Sequence, residues 1–522
     1  MKQAKVFIIR PRVLVAEERE SYPLNLVAVL SSVENINVEK RVVDIDFLYR
    51  QGASFSAICG DLLAEISRIG LPIVGISVND AALPEALYLA ERIKERAKNS
   101  RIVLGGPGVY FNSAGIMAEF GHLVDYIVRG EAERTFPALV SGILKGKAGE
   151  PVPGVIDFPA VVRMDDYAFP QYDRLPPSLY GTGPGVEYIP VLAGAGCANQ
   201  CKYCSTSNFW GHKVRYKSVE RVVREISFLK SLGVSKVELV HDNLFHDMTY
   251  VGRLAGTLMR GGVRVSWACS GRADDFDMAA APLLARAGCR RIFWGIESGS
   301  EKGLRVLNKR LPLESSVRKV RKVSEKYPVH SQLSFIYNFP GDDLESFKRT
   351  LELAFRLKSE NPGKVQVALN NFLALSGAVF TRNALLKKSR YLIRQMNLGP
   401  TFAKRVAGAR ELFSFFYKPG NITSLGEKFR LTRLNFVLNG FPGTIAVLLR
   451  KYGLLDTLRC FQKSEDLEVA VRAMVRRDGD ALPGSLTDIF RFEYLGAVPP
   501  ARPAGKKRTG CWRPRTIQRI YQ

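Results

Sequence analysis

The chain has 522 residues, 46% hydrophobic and 24% charged. That suits two to four globular domains of ~100–200 residues and excludes disordered, collagen-like and coiled-coil classes. Basic residues outnumber acidic ones by 76 to 50, and 27 basic against 10 acidic residues follow residue 370. A net charge of +26 attracts anionic partners such as nucleic acid, anionic lipid or an acidic substrate, with a merely solvated basic surface as the alternative.

At the N-terminus, Val6–Ile9 is too short for a signal-peptide core, and nowhere is there a run of ~18 apolar residues. The expected location is therefore the cytoplasm, peripheral to a membrane if the basic C-terminal part binds lipid. Residues 1–145 alternate strand-like runs (Lys5–Ile9, Arg41–Ile45, Pro72–Ser77, Arg101–Gly105, Asp125–Val128) with helical patterns near Leu24–Ser32, Phe55–Ile69, Pro84–Ala97 and Arg134–Leu144. Near-continuous apolar strands separated by helices predict a five-stranded, doubly wound parallel sheet. Ligands of such sheets bind outside the carboxyl ends of the strands. Those ends carry Ser77, Gly105-Gly106-Pro107-Gly108 and Arg129-Gly130-Glu131.

Residues 146–185 are rich in Pro and Gly and read as an extended connector. Residues 186–370 alternate again, with strands expected at Glu187–Ala193, Val237–Val240, Arg264–Ala268, Arg290–Trp294, Gln332–Tyr337 and Lys364–Leu369. A helix should start after Ser218 as N-cap and stop before Gly233. Six β/α units make three-quarters of a closed barrel, hence a partial (β/α)6 barrel. Residues 371–496 read as basic and mostly helical, for example Leu385–Met396 and Ser424–Leu438. Residues 497–522 read as a disordered basic tail.

Directly after the first barrel strand comes Gly194-Ala195-Gly196-Cys197-Ala198-Asn199-Gln200-Cys201-Lys202-Tyr203-Cys204. Three thiolates at C-x3-C-x2-C, on a loop where barrel active sites collect, can converge on one soft metal centre. Four ligands would close a structural zinc site, and His212 is the nearest candidate for the fourth. A [4Fe–4S] cluster on three cysteines instead leaves one iron open. Cys59, Cys269, Cys289 and Cys460 are isolated and read as small buried hydrophobes; Cys511 lies in the tail. His241 and His246 flank Asp242 and are candidate proton carriers, though a structural role is the simpler expectation.

The cysteine loop resembles that of the radical S-adenosylmethionine enzymes, whose signature C-x3-C-x-aromatic-C is matched by Cys197, Cys201, Tyr203 and Cys204. The resemblance runs from about Val186 to Leu369. Cys204-Ser205-Thr206-Ser207-Asn208-Phe209-Trp210-Gly211, with Arg215 and Ser218, is similar to the subgroup that carries an N-terminal cobalamin-binding domain of flavodoxin-like fold. It implies a cluster held by Cys197, Cys201 and Cys204. S-adenosylmethionine would be contacted by Tyr203, Asp242, Asn243, Arg272, Glu297 and Ser298. Phe335–Asp342 resembles the fifth-strand Gly-x-Pro-Gly-Glu element, with Asn338 in place of glycine and Asp342 in place of glutamate. Ala195 and Ala198 replace an Arg and a Pro common beside the first cysteine.

For the N-terminal domain the resemblance implies cobalamin bound at Ser77, Gly105, Gly106, Gly130 and Glu131, or a domain that kept the fold and lost the cofactor. The Asp-x-His-x-x-Gly loop is missing, and the domain's one histidine, His122, does not follow the first strand, so the cobalt should lack a protein imidazole. The implied activity is reductive cleavage of S-adenosylmethionine to a 5′-deoxyadenosyl radical and C-methylation through cobalamin. Ring formation or rearrangement without methyl transfer and RNA modification are the alternatives. A further cluster on three N-terminal cysteines, as methylthiotransferases have, is excluded because only Cys59 lies there. A non-catalytic scaffold would not keep Asn243, Arg272 and Glu297. The expected partners are a flavodoxin- or ferredoxin-type electron donor and an anionic or amphiphilic substrate. Nucleic acid is the weaker expectation. The C-terminal region, with Phe402, Phe413, Phe415, Phe416 and Tyr417 among its basic residues, is expected to cover the open barrel.

Overall fold

The computed structural model describes residues 3–12, 22–146, 152–157, 163–180, 188–361, 363–382, 386–388, 398–409, 412 and 417–419. The N-terminal sheet is built from β1 (Ala4–Arg10), β2 (Glu39–Asp44), β3 (Leu71–Ser77), β4 (Arg101–Gly105), β5 (Tyr126–Arg129) and β6 (Gly154–Asp157). Their order is β2-β1-β3-β4-β5-β6, with every pair parallel. The apolar strands are buried on both faces: Val6, Phe7, Ile8 and Ile9 are all closed to solvent, as helix crossovers on both sides require. The sheet therefore has six strands rather than five. The sixth lies in the expected connector, where alternating half-buried and exposed residues mark an edge strand with no apolar run to betray it.

The second sheet runs β14-β13-β12-β11-β10-β7, again all parallel. Its strands are β7 (Ile189–Leu192), β10 (Lys236–Val240), β11 (Ser266–Gly271), β12 (Cys289–Glu297), β13 (His330–Tyr337) and β14 (Val365–Asn371). The chain order of the strands is their spatial order, the arrangement of a partial β/α barrel. The two-residue strands β8 (Gly194–Ala195) and β9 (Arg215–Tyr216) pair antiparallel beside it. The helix Val219–Ser231 starts as expected: the Ser218 hydroxyl accepts the Arg221 N–H, and Gly233 follows with φ 84°.

Asn338, standing where a glycine was expected, takes φ 62°. Asparagine is among the few side chains that tolerate this left-handed region. Asp342 accepts the Asn338 N–H at 2.8 Å and so closes that loop with a shorter carboxylate than glutamate.

The C-terminal expectations are corrected where the chain is described. Leu386–Lys388 is not helical but pairs antiparallel with Tyr417–Pro419. The helix Pro400–Gly408 docks on the N-terminal domain and not over the barrel. Phe402 is buried against Tyr88 and Phe120, and Arg405 pairs with Glu91 at 3.3 Å. Phe413, Phe415, Phe416, Cys460, Cys511, most of Leu385–Met396, Ser424–Leu438 and the tail lie outside the described residues. Among the described residues no helix is long and apolar enough to cross a membrane.

Candidate functional site

Glycines fix the cysteine loop. A Cβ on Gly194 would lie 2.4 Å from the Arg215 carbonyl, and one on Gly196 (φ 100°) would lie 1.7 Å from that of Lys213. Only glycine lets the loop pass so close to the 213–216 segment. Asp242, just past β10, accepts the Gly196 N–H at 2.6 Å and ties the loop to the barrel rim. Cys197, Cys201 and Cys204 then face one cavity of about 400 Å³, which Tyr203, Asp242, Asn243, Arg272 and Glu297 also line. Residues from the ends of three successive strands thus meet the loop at the carboxyl face.

Among the described residues no three His, Cys, Asp or Glu side chains gather around a single-ion position, the closure that a mononuclear zinc site needs. His212 is exposed and does not line the cavity. Three thiols spread around one cavity suit a larger, thiolate-held iron–sulfur centre.

The cavity's polar groups are cross-braced. Asn243 accepts the Arg272 N–H at 3.0 Å and donates to Asp275 at 2.6 Å. The Arg272 guanidinium pairs with Asp274 at 2.7 Å, donates to the Lys309 carbonyl at 2.8 Å and stands 3.9 Å from the Cys201 sulfur. Burial pushes the Cys201 thiol up, against the pull of Lys309 and Arg272. Glu297 takes φ 71° at a bulge in the β12–β13 pairing, an unusual backbone for a long side chain. Its carboxylate receives the Lys309 amine at 3.5 Å and the Ser334 hydroxyl at 3.2 Å. Lys309 also reaches the Tyr203 hydroxyl at 3.3 Å. A Cβ on Gly295 would stand 2.6 Å from Glu297 and 3.0 Å from Lys309, so glycine there makes room for the pair. Lys309 has no motif of its own. It follows Glu297 by twelve residues, between Asn308 (φ 53°) and Arg310 (φ 49°).

Ser298 is not part of this cavity. It is buried, with its hydroxyl against Thr350 and accepting the Ser300 N–H. Cys269 is buried in the core as expected and also lines the cavity. His241 stacks on Tyr216 with centroids 4.4 Å apart and accepts the Asn243 N–H at 3.0 Å. Burial lowers its pKa from 6.5 to about 4, so the ring is neutral at physiological pH. A depressed folded-state pKa means the contribution to stability is full above 6.5 and is lost as pH falls towards 4. The His241 ring resonances are expected to stay constant between about pH 8 and pH 5; a midpoint near 6.5 would show a solvated ring.

At the carboxyl edge of the N-terminal sheet, Gly130 (φ 86°) has no heavy atom within 4 Å of where a Cβ would stand, while Gly105 would touch only Val128. Together they leave a bare backbone shelf. Gly106 (φ 102°) serves packing instead, since a Cβ would lie 2.5 Å from the Val78 carbonyl. The Ser77 hydroxyl accepts from Asn25 at 2.7 Å. The Glu131 carboxylate is engaged within the protein, taking Arg215 at 2.5 Å and the Tyr167 hydroxyl. His122 precedes β5 and lies 3.3 Å from Arg405, at the opposite edge. Aromatic rings link the segment after β4 to the segment after the cysteines, Tyr110 to Phe209 at 4.7 Å and Phe209 to Trp210 at 4.6 Å.

Residues 191–354 match the radical SAM superfamily, and residues 13–140 match the B12 binding domain. The chain belongs to the radical SAM enzymes that carry an N-terminal B12-binding domain. It is 28% identical over 373 residues to an uncharacterized methyltransferase of Pyrococcus horikoshii, covering 68% of this chain and 79% of that protein. With the hopanoid C-3 methylase of Methylococcus capsulatus it shares 25% over 321 residues, or 59% of this chain and 60% of that one. Two solved structures share the fold. The cobalamin-dependent radical enzyme OxsB with aqua-cobalamin bound has TM-score 0.63 at 14% identity, covering 95% of this chain and 84% of that one. The methyltransferase TsrM of Kitasatospora setae with cobalamin and [4Fe-4S] cluster bound has TM-score 0.59 at 16% identity, covering 92% and 100%.

The cofactors of this radical SAM enzyme are a [4Fe–4S] cluster, S-adenosylmethionine and cobalamin. The residues present fit them. Three thiols share one cavity, and a glycine shelf leaves open space at the sheet edge for a broad ligand. Radical SAM enzymes also require an electron donor.

Proposed function

We propose that this enzyme is a cobalamin-dependent C-methyltransferase. The observation that carries the reading is a contact between two loops: Tyr110, past the glycine shelf of the N-terminal sheet, touches Phe209, just past the cysteines that open on the barrel cavity. When bound, the cluster and S-adenosylmethionine supply a hydrogen-abstracting radical and the corrinoid supplies methyl-group chemistry; the protein contributes binding, orientation and electrostatics. In this reading Cys197, Cys201 and Cys204 hold the cluster, while Arg272 and Lys309 offset its negative charge. Glu297, Asn243 and Asp242 offer acceptors and Tyr203 a ring to S-adenosylmethionine. Ser77, Gly105 and Gly130 line the corrinoid shelf, and Glu131 does not. The electron donor is a flavodoxin or ferredoxin, and the substrate is anionic or amphiphilic, in keeping with the charge of +26.

The test supplies reductant, cobalamin and S-adenosylmethionine labelled as trideuteromethyl to the anaerobic enzyme with fractionated polar and lipid extracts. A compound gaining the labelled methyl group only with enzyme and cobalamin is the expected result. Substrate turnover with deoxyadenosine formed and no methyl gain would favour ring formation or rearrangement instead.

A further inference from the structure

We infer that two clamps hold the cofactor-bearing domains at one fixed separation, and that Glu131 and Arg215 are positioning residues of the first clamp; this rests on the cobalamin-dependent reading above. Glu131 follows the left-handed Gly130 at the carboxyl end of β5. Its Oε1 receives Arg215 Nη2 at 2.5 Å and the Tyr167 hydroxyl. Three segments therefore meet on one oxygen: the N-terminal sheet, the connector and the barrel. The ion pair is nearly dry, with side chains 6% and 14% exposed. Arg215 lies on β9 opposite Ala195, two residues before Cys197. One path from Gly130 to Cys197 thus runs through a single ion pair and a single strand pairing. The Arg215 guanidinium also lies 5.2 Å from the Trp210 ring centroid, so its place is fixed from two sides.

The second clamp is the loop that follows β14. Ser376 N–H donates to Asp80 at 3.3 Å, and Asn112 donates to the Ser376 hydroxyl at 2.8 Å. Asp80 and Asn112 follow the carboxyl ends of β3 and β4. One residue on, the Gly377 carbonyl accepts from Asn208 at 2.7 Å, and Phe380 N–H donates to the Lys202 carbonyl at 3.1 Å. Lys202 and Asn208 flank Cys204. Gly377 takes φ 81°, and a Cβ there would stand 2.1 Å from the Phe111 ring. Only glycine lets the loop press against the N-terminal domain while holding the cysteine loop.

Domains of one chain move relative to each other unless something holds them. Methyl transfer between groups carried by two domains is sensitive to misplacement, and ~1 Å can cost ~10²-fold in rate. Neither clamp touches the cavity that holds the three cysteines. Their loss should leave both cofactors bound and spoil only their mutual placement.

The test uses the reconstituted enzyme with the cluster reduced and the corrinoid as cob(II)alamin. Both centres are then paramagnetic, and their magnetic coupling reports the separation. The wild type and the conservative Arg215→Lys, which keeps the ion pair, are expected to show one well-defined coupling. Glu131→Gln combined with Asn112→Ala should keep wild-type iron and corrinoid content, and deoxyadenosine formation without substrate within about twofold. Its coupling should broaden, and methyl transfer should fall at least about tenfold. An unchanged coupling in that double variant overturns the proposal. Loss of corrinoid from Glu131→Gln alone also overturns it, since Glu131 would then be a cofactor ligand. Absence of corrinoid from the wild type overturns the cobalamin-dependent reading itself and the clamps' role with it.

Discussion

Replacing any one of Cys197, Cys201 and Cys204 with alanine is expected to strip the cluster and abolish cleavage of S-adenosylmethionine. All three thiols open on the same cavity. A three-ligand cluster has no thiolate to spare. Iron and sulfide per chain should fall to background in each variant, with deoxyadenosine below detection. Cys59→Ala is the matched control, because Cys59 sits in the N-terminal domain against its core and should leave iron unchanged. Full iron content and cleavage in Cys204→Ala would place the cluster on another ligand set.

The second large effect is expected at Lys309. Its amine lies between Glu297 and Tyr203, and Lys309 and Glu297 are both nearly closed to solvent. Lys309→Met removes the cation and leaves a buried carboxylate held by the Ser334 hydroxyl and the Tyr203 phenol, with no positive charge beside it. Breaking such a pair from one side costs about 3–5 kcal/mol, so the melting midpoint should drop by several degrees. Removing positive charge beside Cys201 and Tyr203 should also weaken S-adenosylmethionine binding by tenfold or more, about 1.4 kcal/mol. Lys309→Arg should recover most of the binding. Reduced stability with unchanged S-adenosylmethionine affinity would make the pair purely structural.

Much of this architecture is legible in the sequence because parallel strands buried on both faces leave apolar runs. Arg101–Gly105 is such a run, while barrel strands such as Lys236–Val240 and Val365–Asn371 alternate instead, and Ser218 with Gly233 brackets a helix by ordinary capping rules. β6 escapes because an edge strand among prolines has no apolar run, and four residues are too few for an alternation to stand out. β8 and β9 escape because two residues carry no period. The strand-end residues Asp242, Asn243, Arg272 and Glu297 are visible through their shared position in successive β/α units. Lys309 is not, since two left-handed neighbours aim it, and φ cannot be read from spacing. Glu131 looks like a ligand beside two glycines, yet its partner Arg215 is 84 residues away. Long-range pairing of this kind leaves no local signature.

Whether one chain brings a corrinoid and a three-cysteine cluster together is decided by the corrinoid content of protein expressed with cobalamin and purified without oxygen. Absorbance and mass spectrometry should find about one corrinoid per chain alongside the cluster, as a protein supplying two cofactor sites requires. No corrinoid in protein that still holds its iron–sulfur cluster would contradict the account and leave the deoxyadenosyl radical to act alone.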